Sequence, residues 1–301
     1  MLKYLQKNTI VPLEGKEITE LSNFKTKAFA EYYFEIHNLD DVDKLKDIVN
    51  FADENKLKIL FVGAGTNMLF AFEKYEWIVI KNCLQWWNYD EETRMLKSYS
   101  NELISDIAES LEKDFKQNLW HRFIWLPGSV GWAVYWNAGC FGLETENNFR
   151  EATVYNLSTW KIEKLSKKDM SFNYRTSILK QNNNKYFLVD TSFDLSIKIE
   201  KYHSDVDNID FRENKQPSWN TCWSFFKNPN REQSAWFLIE SVWLKWKKVN
   251  WAFFSELHAN FLMSDWTASY KNLLNLIKLA QEKVKKEFWV DIENEVRIIE
   301  N

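Results

Sequence analysis

The sequence predicts an α+β protein of two domains. Three observations carry that reading. The 301 residues exceed the usual single domain of roughly 100–200. Helix-like and strand-like segments alternate along the chain without an internal repeat. A polar stretch, Glu200 to Gln216, separates a longer N-terminal part from a shorter C-terminal one, so the domains are expected at residues 1–200 and 201–301.

The elements follow in order. From Asn38 the chain opens with capping residues and then repeats apolar positions at helical spacing, which predicts a helix over 41–55. Lys58 to Val62 reads as a strand, the small-residue turn Gly63-Ala-Gly-Thr-Asn67 follows it, and a further apolar strand runs through Trp77 to Ile80. Leu103, Ile104, Ile107, Ala108 and Leu111 share one face of a helix over 101–115. A glycine-dense loop is expected from Leu126 to Gly142, and short β-rich pieces between polar turns from Ala152 to Ser196. The second domain is predicted to hold helices at about 231–241 and 268–287 and a terminal strand from Glu295 to Ile299.

Composition excludes several function classes. With 45% hydrophobic and 27% charged residues the chain is an ordinary globular protein. A net charge of −4 with scattered Lys and Arg leaves no basic run for a phosphate backbone, so no nucleic-acid partner is expected. Cys83, Cys140 and Cys222 are odd in number and widely spaced, which suits reduced thiols in a cytosol. His37, His121, His203 and His258 never fall within one helical turn of each other, and no metal site is expected. The first residues lack an apolar signal core and no stretch approaches 18 apolar residues, which predicts a cytoplasmic protein without a membrane partner.

Two glycine-dense loops carry the chemistry. Without Cβ atoms, their backbone N–H groups can close on a pyrophosphate, and two such loops in one domain suggest a dinucleotide. Neither has the spacing of a dinucleotide fingerprint or a P-loop, so another cradle is required. Val62-Gly-Ala-Gly-Thr-Asn-Met-Leu69 and Leu126-Pro-Gly-Ser-Val-Gly131 with Asn137-Ala-Gly139 resemble the flavin-pyrophosphate loops of the UDP-N-acetylenolpyruvoylglucosamine reductase family. Further motifs of that family follow in order: Phe172-Asn-Tyr-Arg-Thr-Ser177, Ser224-Phe-Phe-Lys-Asn-Pro229, Ser255-Glu-Leu-His-Ala-Asn-Phe261 and Ile292-Glu-Asn-Glu-Val-Arg-Ile-Ile299. The resemblance spans roughly residues 20–300. At Leu257 the family commonly has Lys, so a charged contact is missing there.

The resemblance implies an FAD-binding domain of the vanillyl-alcohol-oxidase type followed by a smaller α+β substrate domain. It implies FAD bound by Val62, Gly63, Ala64, Gly65, Thr66, Asn67, Pro127, Gly128, Ser129, Gly131, Asn137, Ala138 and Gly139. NADPH would reduce the flavin, which would pass hydride to UDP-N-acetylglucosamine enolpyruvate and give UDP-N-acetylmuramate for peptidoglycan, in a monomeric enzyme. Hydride addition to an enolpyruvyl double bond leaves an enolate-like carbanion, which needs positive charge and a proton source. By resemblance Ser224 is the general acid and Arg175 and Glu295 stabilise the enolate, with Tyr174, Lys227 and Asn228 as substrate-binding residues. His258, on an apolar segment, reads as a structural histidine. Two alternatives stay open at this stage: another flavin oxidoreductase of the same fold, and a nucleotide-sugar-binding protein without catalysis.

One count is out of line. The chain has 7 Gly and 16 Trp, whereas average usage predicts roughly 21 Gly; the sum of 23 has the size of a normal glycine content. Set against the family motifs, Trp132, Trp219, Trp223, Trp243, Trp246, Trp251 and Trp289 stand at glycine places, and Trp136, Trp160, Trp236 and Trp266 are further candidates. This pattern is what a source that reads the codon UGA as glycine would give when its gene is translated with UGA as tryptophan.

Overall fold

The computed structural model describes residues 13–301 apart from 183, 200–207, 218–219, 231 and 266. Two compact units divide the chain. The first takes Tyr32–Ala64 and Trp77–Ile209 with the described residues before Gly15, and the second takes Gly15–Glu31, Gly65–Glu76 and Asp210–Asn301. The sequence places one boundary at 200; the contacts place it after Ile209 and add two early segments to the second unit. The predicted linker is helical over Asn208–Lys215, and its residues 200–207 lie outside the described residues.

In the first unit, helix α1 (Leu45–Glu54) buries Leu45, Ile48, Phe51 and Ala52. The helix predicted over 41–55 is in fact two, because a short helix Leu39–Asp43, capped by the Asn38 side chain accepting from the Asp41 N–H, ends at Lys44. Strand β1 (Ile59–Val62) runs parallel to the Ile78–Lys81 part of β2 (Lys74–Asn82). Strands β3 (Trp87–Asp90) and β4 (Met95–Tyr99) precede helix α2 (Ile104–Phe115), which buries Ile104, Ile107, Ala108 and Leu111 of the predicted face, whereas Leu103, the fifth residue read onto it, is the N-cap before the first turn and is exposed.

A seven-residue helix α3 (Val130–Trp136) follows where the sequence predicts only loop. It forms because Ser129 caps it, its hydroxyl accepting from the Trp132 N–H, and Val130, Ala133 and Val134 give it a buried face. Strands β5 (Phe149–Asn156), β6 (Lys161–Ser166) and β7 (Tyr186–Asp194) then complete an antiparallel sheet in the order β6-β5-β7-β4-β3. Its apolar side and helices α2 and α3 share one core containing Leu96, Ile107, Val134, Val154 and Phe193. Apolar burial of this kind supplies most of the folding free energy, at about 25 cal/mol per Å².

In the second unit, β8 (Thr221–Ser224), β9 (Lys248–Val249), β10 (Ala252–Phe254) and β11 (Phe261–Ser264) form an antiparallel sheet in the order β8-β11-β10-β9. Helix α4 (Ala235–Ser241) and the long α5 (Tyr270–Phe288) pack against it through Leu238, Ile239, Leu273, Leu276 and Val284. The terminal strand β12 (Arg297–Ile299) pairs in parallel with Met68–Phe70, just after the first glycine loop. No helix of the described residues is long and apolar enough to cross a membrane.

Candidate active site

The first loop leaves β1 at Val62. Among the described residues, no protein acceptor takes the backbone N–H of Gly63 or Ala64 in the first unit, nor that of Gly65, Thr66 or Asn67 in the second. Successive N–H groups left free in this way suit an anion. The Gly63 carbonyl accepts from the Lys81 ammonium, whose pKa burial pulls below the usual lysine range. Lys81 was not among the sequence candidates; it reaches the loop because β1 and β2 pair Val62 with Lys81. Gly65 has φ +72, and a Cβ there would lie 2.1 Å from the Leu21 carbonyl oxygen, so no other residue fits. Asn67 is buried, donates from Nδ2 to the Glu295 carbonyl at 3.3 Å and accepts from the Arg297 N–H at 3.1 Å.

The second loop meets the first within the first unit. A Cβ on Gly63 would stand 3.3 Å from the Ser129 hydroxyl. Pro127 leads into Gly128, whose carbonyl accepts from Ile104, and the N–H groups of Gly128 and Ser129 have no protein acceptor among the described residues. Val130 and Gly131 instead donate to Glu102 and Ser100 at 2.8 and 2.7 Å. Gly131 is thus the close-approach glycine, since its Cβ would lie 2.8 Å from the Ser100 carbonyl oxygen.

Asn137 ends α3 at φ 45 and is fully engaged. Its Nδ2 donates to Glu144, Glu146 and the Asn173 carbonyl, while Oδ1 accepts from the Glu146 N–H. The Ala138 carbonyl accepts from Thr145, and the Gly139 carbonyl accepts from Arg175 at 3.1 Å. The Arg175 guanidinium also reaches the Asn137 carbonyl at 3.4 Å and stacks 4.9 Å over the half-exposed Tyr174 ring. Burial pushes the neighbouring Glu144 carboxyl up, against the pull of Arg175. The tyrosine-arginine motif is thereby tied to the end of the second loop.

In the second unit, Ser224 ends β8 opposite Phe261, and the Glu295 N–H donates to the Phe225 carbonyl at 2.7 Å. This bond brings the serine and glutamate motifs alongside each other. Asn260 fixes the turn from both sides, accepting from the Phe226 N–H at 2.9 Å and donating to its carbonyl at 2.8 Å. Lys227 pairs with Glu293 at 2.8 Å, and the Asn228 side chain accepts from the Ala235 N–H at 2.9 Å, capping α4. Burial lowers the His258 pKa to about 4. Its Nδ1 accepts from the Asn260 N–H at 3.3 Å, the structural part read from the sequence.

One cluster was not foreseen. Ligand-type atoms of Glu35, His37 and Cys83 lie within 4.8 Å of one another, Cys83 coming from a part of the chain far from the other two in sequence. The His37 ring is hydrogen-bonded to Glu35 at 2.8 Å, and burial raises the Cys83 thiol pKa.

The flavin implied by the sequence can be tested against these loops. The first fits: the N–H groups of Gly63 to Asn67 have no protein acceptor among the described residues. The second does not fit as the chain is written, because the Trp132 indole covers Gly128, with Cε3 2.4 Å from where a Cβ would stand.

The α+β architecture and the free N–H groups of the first glycine loop define a class, proteins that can receive an anionic ligand on backbone donors. The particular family follows from comparison with known proteins. Residues 215–299 match the family described as UDP-N-acetylenolpyruvoylglucosamine reductase, C-terminal domain. A reductase of that name from Prochlorococcus marinus subsp. pastoris is 30% identical over 292 residues, 94% of this chain and 96% of the relative. One from Clostridium botulinum is 32% identical over 263 residues, 85% and 84% of the two chains. The crystal structure of the Thermus caldophilus reductase superposes with a TM-score of 0.71 at 18% identity, over 95% of this chain and 98% of that one, which establishes the shared fold. The chain belongs to the UDP-N-acetylenolpyruvoylglucosamine reductase family.

Proposed function

We propose that this chain reduces UDP-N-acetylglucosamine enolpyruvate to UDP-N-acetylmuramate in peptidoglycan precursor synthesis, with FAD as its flavin and NADPH as electron donor, as a cytoplasmic monomer. The observation that carries the reading is family membership over 94% of the chain, including the 215–299 match that contains Ser224, Lys227, Asn228 and Glu295.

A bound flavin would supply the hydride; the residues of this chain supply charge and a proton. Ser224 is the proton donor to the carbanion, a role a weak acid can fill only when held rigidly, which the Asn260 clamp on the neighbouring turn favours. Arg175 carries the positive charge for the enolate. Glu295 is held beside the serine motif by its own backbone N–H, and its carboxylate is the second group assigned to the enolate. Lys227 and Asn228, engaged with Glu293 and with the start of α4, serve the substrate through that framework or on release from it.

The test is the anaerobic visible spectrum of the protein expressed with glycine in place of the tryptophans that stand at family glycine places, before and after NADPH and then the enolpyruvyl substrate. Flavin bands that bleach with NADPH and return with substrate support the reading. Bleaching without return refutes it in favour of a different flavin enzyme.

A further inference from the structure

Among the described residues, six of the 17 non-glycine residues with a left-handed backbone are tryptophans: Trp125 (φ 61), Trp160 (φ 58), Trp223 (φ 65), Trp243 (φ 61), Trp246 (φ 69) and Trp289 (φ 60). A bulky side chain there is a true outlier, because its Cβ crowds the carbonyl, whereas glycine takes the conformation freely. Four of these positions are also places where chains use glycine for a reason. Trp289 is the residue that closes α5, its N–H donating to the Lys285 carbonyl at 3.0 Å, and Trp243 follows α4 in the same way, donating to Glu240 at 3.0 Å. Trp160 turns the hairpin between β5 and β6, and Trp223 sits at the register shift between β8 and β11. Trp243, Trp246 and Trp289 project into solvent, being 88%, 59% and 84% exposed, so burial does not offset the strain.

A seventh position is marked by space. The Trp132 ring packs on Gly128, with Cε3, Cδ2 and Cζ3 within 2.4–3.0 Å of where a Cβ would stand, in the loop whose Gly128 and Ser129 N–H groups have no protein acceptor among the described residues. By contrast, Trp120 is buried, its indole N–H reaches Asn148 Oδ1 at 3.4 Å, and it meets Phe123 and Phe193 edge-on at 5.4 and 4.9 Å. That is a site built for an indole.

We infer that the working protein carries glycine at positions 125, 132, 160, 223, 243, 246 and 289 and tryptophan at 120, and that glycine at 132 opens the second loop to a pyrophosphate. The backbone adds Trp125 to the positions that motif comparison singles out. It makes no demand at Trp136, Trp236 or Trp251, and Trp219 and Trp266 lie outside the described residues.

The inference is tested by peptide masses of the protein isolated from the cells that encode it, with the codons read alongside. Glycine masses and UGA at the seven positions, with tryptophan and UGG at 120, are expected. Tryptophan masses at these positions overturn it. For the loop, the chain with all seven changed to glycine and the same chain retaining Trp132 are both expressed and purified, and the FAD released on denaturation is measured. Stoichiometric FAD in the first and at least tenfold less in the second is expected; equal FAD overturns the role given to position 132. Neither readout involves turnover, so failure here is separable from failure of the reductase reading, on which only the choice of FAD as probe rests.

Discussion

Trp289→Gly is expected to stabilise the chain as written. The residue closes α5 at φ 60, ψ 22 and is 84% exposed, so its removal forfeits almost no burial. The left-handed conformation costs an L-residue roughly 1–2 kcal/mol, and glycine returns about 0.5–1 kcal/mol of that through the greater freedom of its unfolded chain. The net gain is about 0.5–1 kcal/mol, or about 1–4 °C in Tm for a domain of this size. The helix-closing N–H···O=C bond to Lys285 is kept, since it belongs to the backbone. Denaturant unfolding followed by circular dichroism measures the change. Trp120→Gly is the control: it deletes a buried indole and should lose about 3–5 kcal/mol. A Trp289→Gly variant less stable than its parent would refute the argument from backbone strain. Applied to all six left-handed tryptophans, the same strain sums to about 6–12 kcal/mol, comparable to the whole stability of an ordinary domain.

Three further outcomes follow. Gly65→Ala should cost several kcal/mol or prevent folding, because its Cβ would lie 2.1 Å from the Leu21 carbonyl oxygen; Gly15→Ala, at φ +61 with nothing within 4 Å, should cost only about 1–2 kcal/mol, and similar losses in thermal melts would refute the packing argument. With a folded pKa of about 4 against an ordinary 6.5, His258 takes its proton in the unfolded chain first, so its contribution is complete above about pH 6.5 and is lost as pH falls toward 4, to a total of about 3 kcal/mol. His258→Gln should therefore flatten the stability profile between those values, and parallel profiles would count against a buried neutral ring. Ser224→Ala should leave flavin reduction by NADPH intact while slowing substrate-driven reoxidation by about 10²–10⁴-fold, read by stopped-flow absorbance; unchanged reoxidation would remove Ser224 from its role.

Much of this was legible in the sequence. Helices α2 and α5 and strand β1 fall close to where apolar periodicity predicts them, since each buries one continuous face. Helix α3 was hidden because Gly131 and Trp132 stand in its first turn, and only the Ser129 cap and the buried face reveal it. Lys81 was hidden because its importance comes from strand pairing, which carries it to the Gly63 carbonyl. Asn228 shows the reverse: the motif marks it as a ligand, while the structure gives its side chain to the Ala235 N–H as the start of α4. A motif residue can hold the fold of a site as well as the substrate, and one sequence does not distinguish the two.

The tryptophans show what each level adds. Composition gives a total, 7 glycines and 16 tryptophans, and carries no positions. Motif comparison gives positions only where motifs are dense, and it passes over Trp125. Backbone geometry owes nothing to either, since φ is set by the turns, bulges and helix ends that the surrounding chain imposes. It nevertheless selects Trp223, Trp243, Trp246 and Trp289, which the motifs also select. It spares Trp120, which has the burial and the hydrogen bond an indole requires. Tolerance of tryptophan could account for an excess in composition, but it would not concentrate that excess in left-handed backbone, which tryptophan enters more often here than any other non-glycine residue.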